Sequence, residues 1–137
     1  MTVNYLAILA AGVASMVVGF LWYSPLLFGN IWSKEMGFKI KSKAQLKKMQ
    51  KEAGPLYLGT FIGHLIMAYV ALHLLVYLRV STLEQALLFA FWVWLGFIAT
   101  TQASANLFSK KNLKLFLIDS SHMLAVLALQ VVILLKL

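Results

Sequence analysis

At 137 residues, 62% hydrophobic and only 12% charged, with a mean hydropathy of +0.87, the chain is too apolar for a soluble domain. The absence of cysteine excludes disulfides, thiolate catalysis and Cys-ligated metal clusters. A net charge of +8 would suggest nucleic acid in a soluble protein, but here the lysines cluster between apolar runs, so they read as a topology signal and no nucleic-acid partner is expected.

Four stretches, about residues 3–23, 55–78, 83–108 and 113–135, approach the ~20 apolar residues that a bilayer needs. They are too long and too unalternating for barrel strands. The expectation is an all-α, polytopic integral membrane protein: one domain over residues 1–137, folded as a four-helix transmembrane bundle. The first run lacks a basic leader and a convincing small-residue cleavage site, so it reads as a retained helix. It carries a stripe of small residues, Ala7, Ala11, Ser15 and Gly19, which lets helix backbones approach closely either within the chain or between subunits.

The connection that follows, residues 24–54, begins with an aromatic segment. Pro25 disfavours helix at Ser24, so the first span should end or kink there. Trp22, Tyr23 and Trp32 suit the headgroup level, where amphipathic rings anchor. Ser42 and Gln45 form a capping-box pattern opening a basic helix, with Leu46, Met49 and Ala53 opposite Lys43, Lys47, Lys48 and Lys51. Such a helix either lies on the anionic lipid of the cytoplasmic leaflet or is simply solvated. Gly54 and Pro55 are expected to end it and start the second span, where Gly59 and Gly63 repeat the small-residue device.

Lysine counting sets the orientation. Residues 24–54 carry seven lysines and the third connection adds Lys110, Lys111 and Lys114, leaving Arg79 and Lys136 for the opposite side. Positive charge concentrates on the cytoplasmic face, so both termini are expected to be extracytoplasmic. At 1.5 Å per residue, His64 then lies ~13 Å from the cytoplasmic side; Thr101, Gln102 and Asn106 lie roughly 4–12 Å in; Asp119 lies ~9 Å in and His122 ~13 Å in. Three helices thus deliver six polar side chains to one slab of the cytoplasmic half.

On the fourth span Asp119 and His122 stand at i, i+3, with Gln130 eight residues beyond, so all three can share one face. An Asp at a span centre costs ~2.5–3.5 kcal/mol even on the mildest scale, so that face must turn to protein or water. The cluster has three readings: a structural tie between helices, a proton or cation pathway, and a metal site made of His64, Asp119 and His122. At the outer edge Tyr69, His73 and Tyr77 fall on one helix face, and Glu84 is placed to pair with Arg79. Neighbouring Ser120, Ser121 and His122 have the wrong spacing for nucleophilic catalysis, and no hydrolase, zincin or phosphate-loop motif is present. Neither enzymatic activity nor a cofactor is expected.

The run Trp22-Tyr23-Ser24-Pro25-Leu26-Leu27-Phe28-Gly29-x-x-Trp32 and the run Leu115-Phe116-Leu117-Ile118-Asp119-x-x-His122 resemble the small prokaryotic membrane proteins grouped as domain of unknown function 1761. Gly96-Phe97 and Met67-Ala68 fit the same pattern. The resemblance covers nearly the whole chain and implies a compact four-helix protein of the bacterial inner membrane, but it adds no activity. The long lysine-rich first connection departs from the pattern. Two functions are expected from these readings together: an oligomeric proton or cation channel or transporter using Asp119, His122 and His64, or a non-transporting scaffold or lipid- or partner-binding subunit. A homo-oligomer is expected because spans this few and this short rarely enclose a pore alone.

Overall fold

The computed structural model describes residues 3–37 and 43–137, and every regular element among them is a helix. Helix α1 (Tyr5–Trp22) starts where the Asn4 side chain accepts from the Ala7 backbone N–H at 3.0 Å, satisfying one of the donors a helix start leaves open. It stops at Tyr23, two residues before Pro25, as the restriction on the residue before proline requires. A tight turn then feeds α2 (Gly29–Met36), which ends on Gly37 in the left-handed conformation, φ 78°.

Helix α3 (Lys43–Tyr77) runs unbroken through Pro55. The expected boundary at Gly54 and Pro55 is therefore absent: the basic segment and the second span are one helix. Proline removes one N–H, and the carbonyl it leaves unbonded belongs to Lys51, on an exposed stretch of helix where the loss is least costly. Lys47, Lys48 and Lys51 are exposed; Ser42 of the proposed capping box and the Lys43 side chain lie outside the described residues.

After the turn at Arg79, Thr82 caps the next helix by accepting from the Gln85 N–H, while Gln85 Oε1 accepts from the Ser81 N–H. Glu84 occupies the first turn, where a carboxylate suits the helix dipole, and forms no ion pair with Arg79 among the described residues. The third apolar run is a composite: α4 (Leu83–Val93), a π-helical segment (Trp94–Ala99) and α5 (Thr100–Phe108). Helix α6 (Leu113–Lys136) opens on Asn112, whose side chain accepts from the Leu115 N–H at 3.0 Å. Four helical stretches are long and apolar enough to cross a membrane: Tyr5–Trp22, Lys47–Tyr77, Leu83–Phe108 and Leu113–Lys136.

Helix α6 is the hub. It packs chiefly on α1 and α4, and to a lesser extent on α2, α3, the π-helical segment and α5; α3 itself leans mainly on α1. The small-residue stripe of α1 is consumed inside the chain. Ala7, Ala11 and Ser15 are fully buried, and the Gln130 amide of α6 donates to Ser15 Oγ at 2.8 Å and to the His64 carbonyl at 3.1 Å. At Gly12 α1 lies tight against α3: a Cβ there would stand 2.6 Å from Leu65 Cδ2. Gly59 and Gly63, expected at a helix contact, instead face open space.

The two ends of the bundle differ. At one, Asn4 Nδ2 donates to the Leu137 carbonyl, and a dry core of Ala7, Ile8, Ala11, Leu127, Val131 and Leu134 fills the interior. At the other, Glu35 of α2 meets Asn112 and pairs with Lys114 at 3.6 Å, so the two lysine-bearing connections touch. The polar side chains collect toward this second end.

Candidate functional site

The site begins with a turn. After α1 the chain reverses through hydrogen bonds from Phe28 N to Trp22 O and from Gly29 N to Ser24 O, while Ser24 Oγ donates to Leu21 O. The reversal brings the start of α2 hard against the end of α1. A Cβ on Gly29 would stand 2.3 Å from the Tyr23 carbonyl oxygen, closer than any real contact, so only glycine fits. Phe28 packs on Trp22 with ring centroids 5.1 Å apart, and Trp32 meets Tyr23 edge-on at 5.5 Å.

The turn aims two polar atoms at α6. Trp22 Nε1 donates to the Ile118 carbonyl at 3.0 Å, and the Tyr23 hydroxyl donates to Asp119 Oδ1 at 2.5 Å. The Tyr23 and Trp22 rings also flank His122, at 5.1 and 6.2 Å. Trp22, Tyr23 and Trp32 are half-buried. Expected at a lipid headgroup level, Trp22 and Tyr23 in fact direct their polar atoms into the protein. The two runs that carry the family resemblance are thus the two halves of one site. From the other flank, Trp94, the first residue of the π-helical segment, donates to the Ser120 carbonyl at 2.7 Å. Two indoles therefore clamp α6 on either side of Asp119.

Two cavities meet at this clamp. The larger, about 480 Å³, lies between α1, α2, α3 and α6, with Tyr23, Trp32, His64 and His122 among its walls. His122 Nε2 is buried without a hydrogen-bond partner among the described residues, and the His64 ring makes no hydrogen bond to another described residue. The smaller cavity, about 140 Å³, is lined by Gln102, Asn106, Lys111 and Asp119. Gln102 Oε1 is buried there without a partner among the described residues, and Asn106 Nδ2 donates to the carbonyls of Lys111 and Asn112, holding the α5–α6 loop. Asp119 lines the smaller cavity while bonded to Tyr23, which lines the larger. The Tyr23–Asp119 hydrogen bond is the partition between them.

The six residues expected as one cluster are accordingly divided. His64 and His122 share the larger cavity; Gln102, Asn106 and Asp119 share the smaller. Thr101 joins neither: it is exposed, and its hydroxyl donates to the Phe97 carbonyl of its own helix. His64, Asp119 and His122 do not converge as metal ligands, and no group of three His, Cys, Asp or Glu side chains does so among the described residues. At the far end of α3, His73 bonds the Tyr69 carbonyl and stacks on its ring at 4.4 Å, away from both cavities.

Sequence reasoning missed the role of Tyr23 as the partner of Asp119, and it missed Trp94 and Gly29. The signal available was the resemblance itself, which placed Tyr23, Gly29 and Asp119 in its two most specific runs. The family described as "Protein of unknown function (DUF1761)" matches residues 6–135, nearly the whole chain. No curated protein and no solved structure matches the chain.

Proposed function

Because the chain belongs to the DUF1761 family, whose description assigns no activity, its function has to be read from the site, and we propose that it is a multi-pass membrane protein that binds a small ligand. It sits in the bacterial inner membrane with both termini outside and the Glu35–Lys114 end at the cytoplasm. Supporting insertion, many large apolar side chains point outward, Leu56, Leu58, Ile66 and Phe97 among them, as lipid contact requires and water would not tolerate. Ten of the twelve basic residues lie on the two connections assigned to the cytoplasm. The exposed Lys47, Lys48 and Lys51 face the anionic leaflet there.

The observation that carries the reading is the larger cavity, where two imidazoles whose rings make no hydrogen bond to another described residue line a space of about 480 Å³, within the size range of small-molecule sites. Beyond Ser15 and Gln130 the interior toward the termini is packed alanine, leucine and valine, which supports a closed-ended site over a conduit through one protomer. Neither Tyr23 nor Asp119 acts on the ligand in this reading; their hydrogen bond fixes the wall of the cavity. Self-association, where it occurs, uses the face of α3 that leaves Gly59 and Gly63 open, since the α1 stripe is already covered.

Proton flux into liposomes containing the purified protein tests the reading. We expect wild type and Asp119→Asn to match protein-free vesicles, with equal thermal stability, because Asn keeps an acceptor for the Tyr23 hydroxyl. Wild-type flux that Asp119→Asn abolishes would replace ligand binding with transport.

A further inference from the structure

We propose that the larger cavity takes an uncharged, lipid-soluble ring compound bearing carbonyl or hydroxyl groups, of the quinone and quinol type. This inference rests on the ligand-binding reading and names the class of its ligand.

The lining excludes a charged headgroup. No lysine, arginine, aspartate or glutamate lines the cavity among the described residues, and the nearest carboxylate, Asp119, lies behind Tyr23 and is bonded to it. A buried charge there would have no counter-charge, which a neutral ligand avoids. Most of the hydroxyls in the wall are already committed. Ser15 donates to the Ala11 carbonyl and accepts from Gln130, Thr60 donates to the Leu56 carbonyl, and Tyr23 donates to Asp119. Among the described residues, the imidazoles of His64 and His122 and the hydroxyls of Ser33 and Tyr57 remain for a ligand.

A neutral imidazole carries one donor and one acceptor, and either nitrogen can hold the proton. A pair of them suits a ligand whose polar groups are acceptors in one form and donors in another, as carbonyls become hydroxyls between quinone and quinol. The shape agrees. Phe20, Tyr23, Trp32 and Tyr57 present ring faces and edges, which favour a flat ring.

The mouth points the same way. Phe20 of α1 and Tyr57 of α3 meet edge-on at 5.3 Å, and both are more than half exposed. In the membrane orientation proposed above, this pair frames a lateral opening toward lipid, so a hydrophobic tail can stay in the bilayer while the ring enters. Gly19 borders the last step. His122 Nε2 is itself buried, and a Cβ on Gly19 would stand 3.4 Å from it, adding to the cover a ligand must pass to reach that nitrogen.

The test titrates the protein in phosphatidylcholine nanodiscs with a benzoquinone carrying one isoprene unit, read by calorimetry. We expect saturable binding that weakens about fivefold to tenfold in His122→Leu, the range expected for one lost hydrogen bond. His122→Gln, which restores a polar partner, recovers part of the loss. Gly19→Ala guards against a folding artefact, because 3.4 Å is an ordinary contact and alanine favours the helix. It should weaken binding as much as His122→Leu while melting no lower than wild type. Absence of saturable binding in wild type, or equal binding by wild type and Gly19→Ala, overturns the quinone assignment. If the protein instead retains another lipid-soluble molecule that Gly19→Ala releases, only the ligand class fails. If it retains none and conducts protons, the ligand-binding reading fails as well.

Discussion

Gly29 and Tyr23 show how single residues build the site. Gly29 is needed because the Tyr23 carbonyl occupies the place a Cβ would take. Replacing it by alanine must push α2 off the end of α1, and with it Trp32 from the cavity wall. We predict that Gly29→Ala lowers stability by about 1–3 kcal/mol, the usual range for overpacking against a part that cannot yield, measured as a drop in the melting midpoint of the purified protein. Gly37→Ala is a poorer comparison because its φ of 78° is strained for alanine, whereas Gly54→Ala, open on every side, should change little. These roles were not legible in the sequence. Tyr23 and Trp22 are amphipathic rings at the end of an apolar run, and composition assigns such rings to a lipid interface. Only the tertiary turn shows that their polar atoms reach α6 at Ile118 and Asp119. The polarity of Asp119 and His122, in contrast, was legible, since an apolar helix cannot carry them without cover.

At the scale of elements, the apolar runs located three of the four spanning helices to within a few residues at both ends, while α3 begins at Lys43, well before the expected start at residue 55. What they could not convey was phase. Thr101, Gln102 and Asn106 were placed in one slab, yet the π-helical segment at Trp94–Ala99 adds a residue to the turn and rotates everything after it by ~100° relative to a regular helix. The structure puts Gln102 and Asn106 beside Asp119 and turns Thr101 outward. Deleting Phe97, an exposed residue of that segment, should let the helix close into regular α geometry and carry Gln102 away from Asp119. The chain has no cysteine, so the check is clean: cysteines introduced at Gln102 and Asp119 should be bridged by a short bifunctional reagent in the parent and not in the deletion variant. The continuity of α3 through Pro55 is a second difference of this kind. Proline disfavours a helix interior without forbidding it, and an exposed stretch is where the cost is smallest.

For the whole molecule, lysine distribution and span count led to a bundle with two unlike ends, and contacts support that pairing of connections. Glu35 joins the first to the third, while Asn4 joins the two termini at the opposite end. The division of the polar residues into two cavities was not legible, because it depends on which helix leans on which: α6 at the centre, α3 drawn to α1 by Gly12, and α2 folded over the opening. That arrangement leaves Gln102 Oε1, Ser120 Oγ and His122 Nε2 without partners among the described residues toward the end with the lysine-bearing connections, and Gln130 Oε1 deeper in. The core around Leu127, Val131 and Leu134 is otherwise apolar; this is the observation behind the proposal of binding rather than passage. The most direct measurement of this claim is native mass spectrometry of the protein released from its own membranes, with Gly19→Ala prepared in parallel. We expect a discrete lipid-soluble adduct on the wild type that is lost from the equally folded variant. Identical spectra for the two, with or without an adduct, would contradict it.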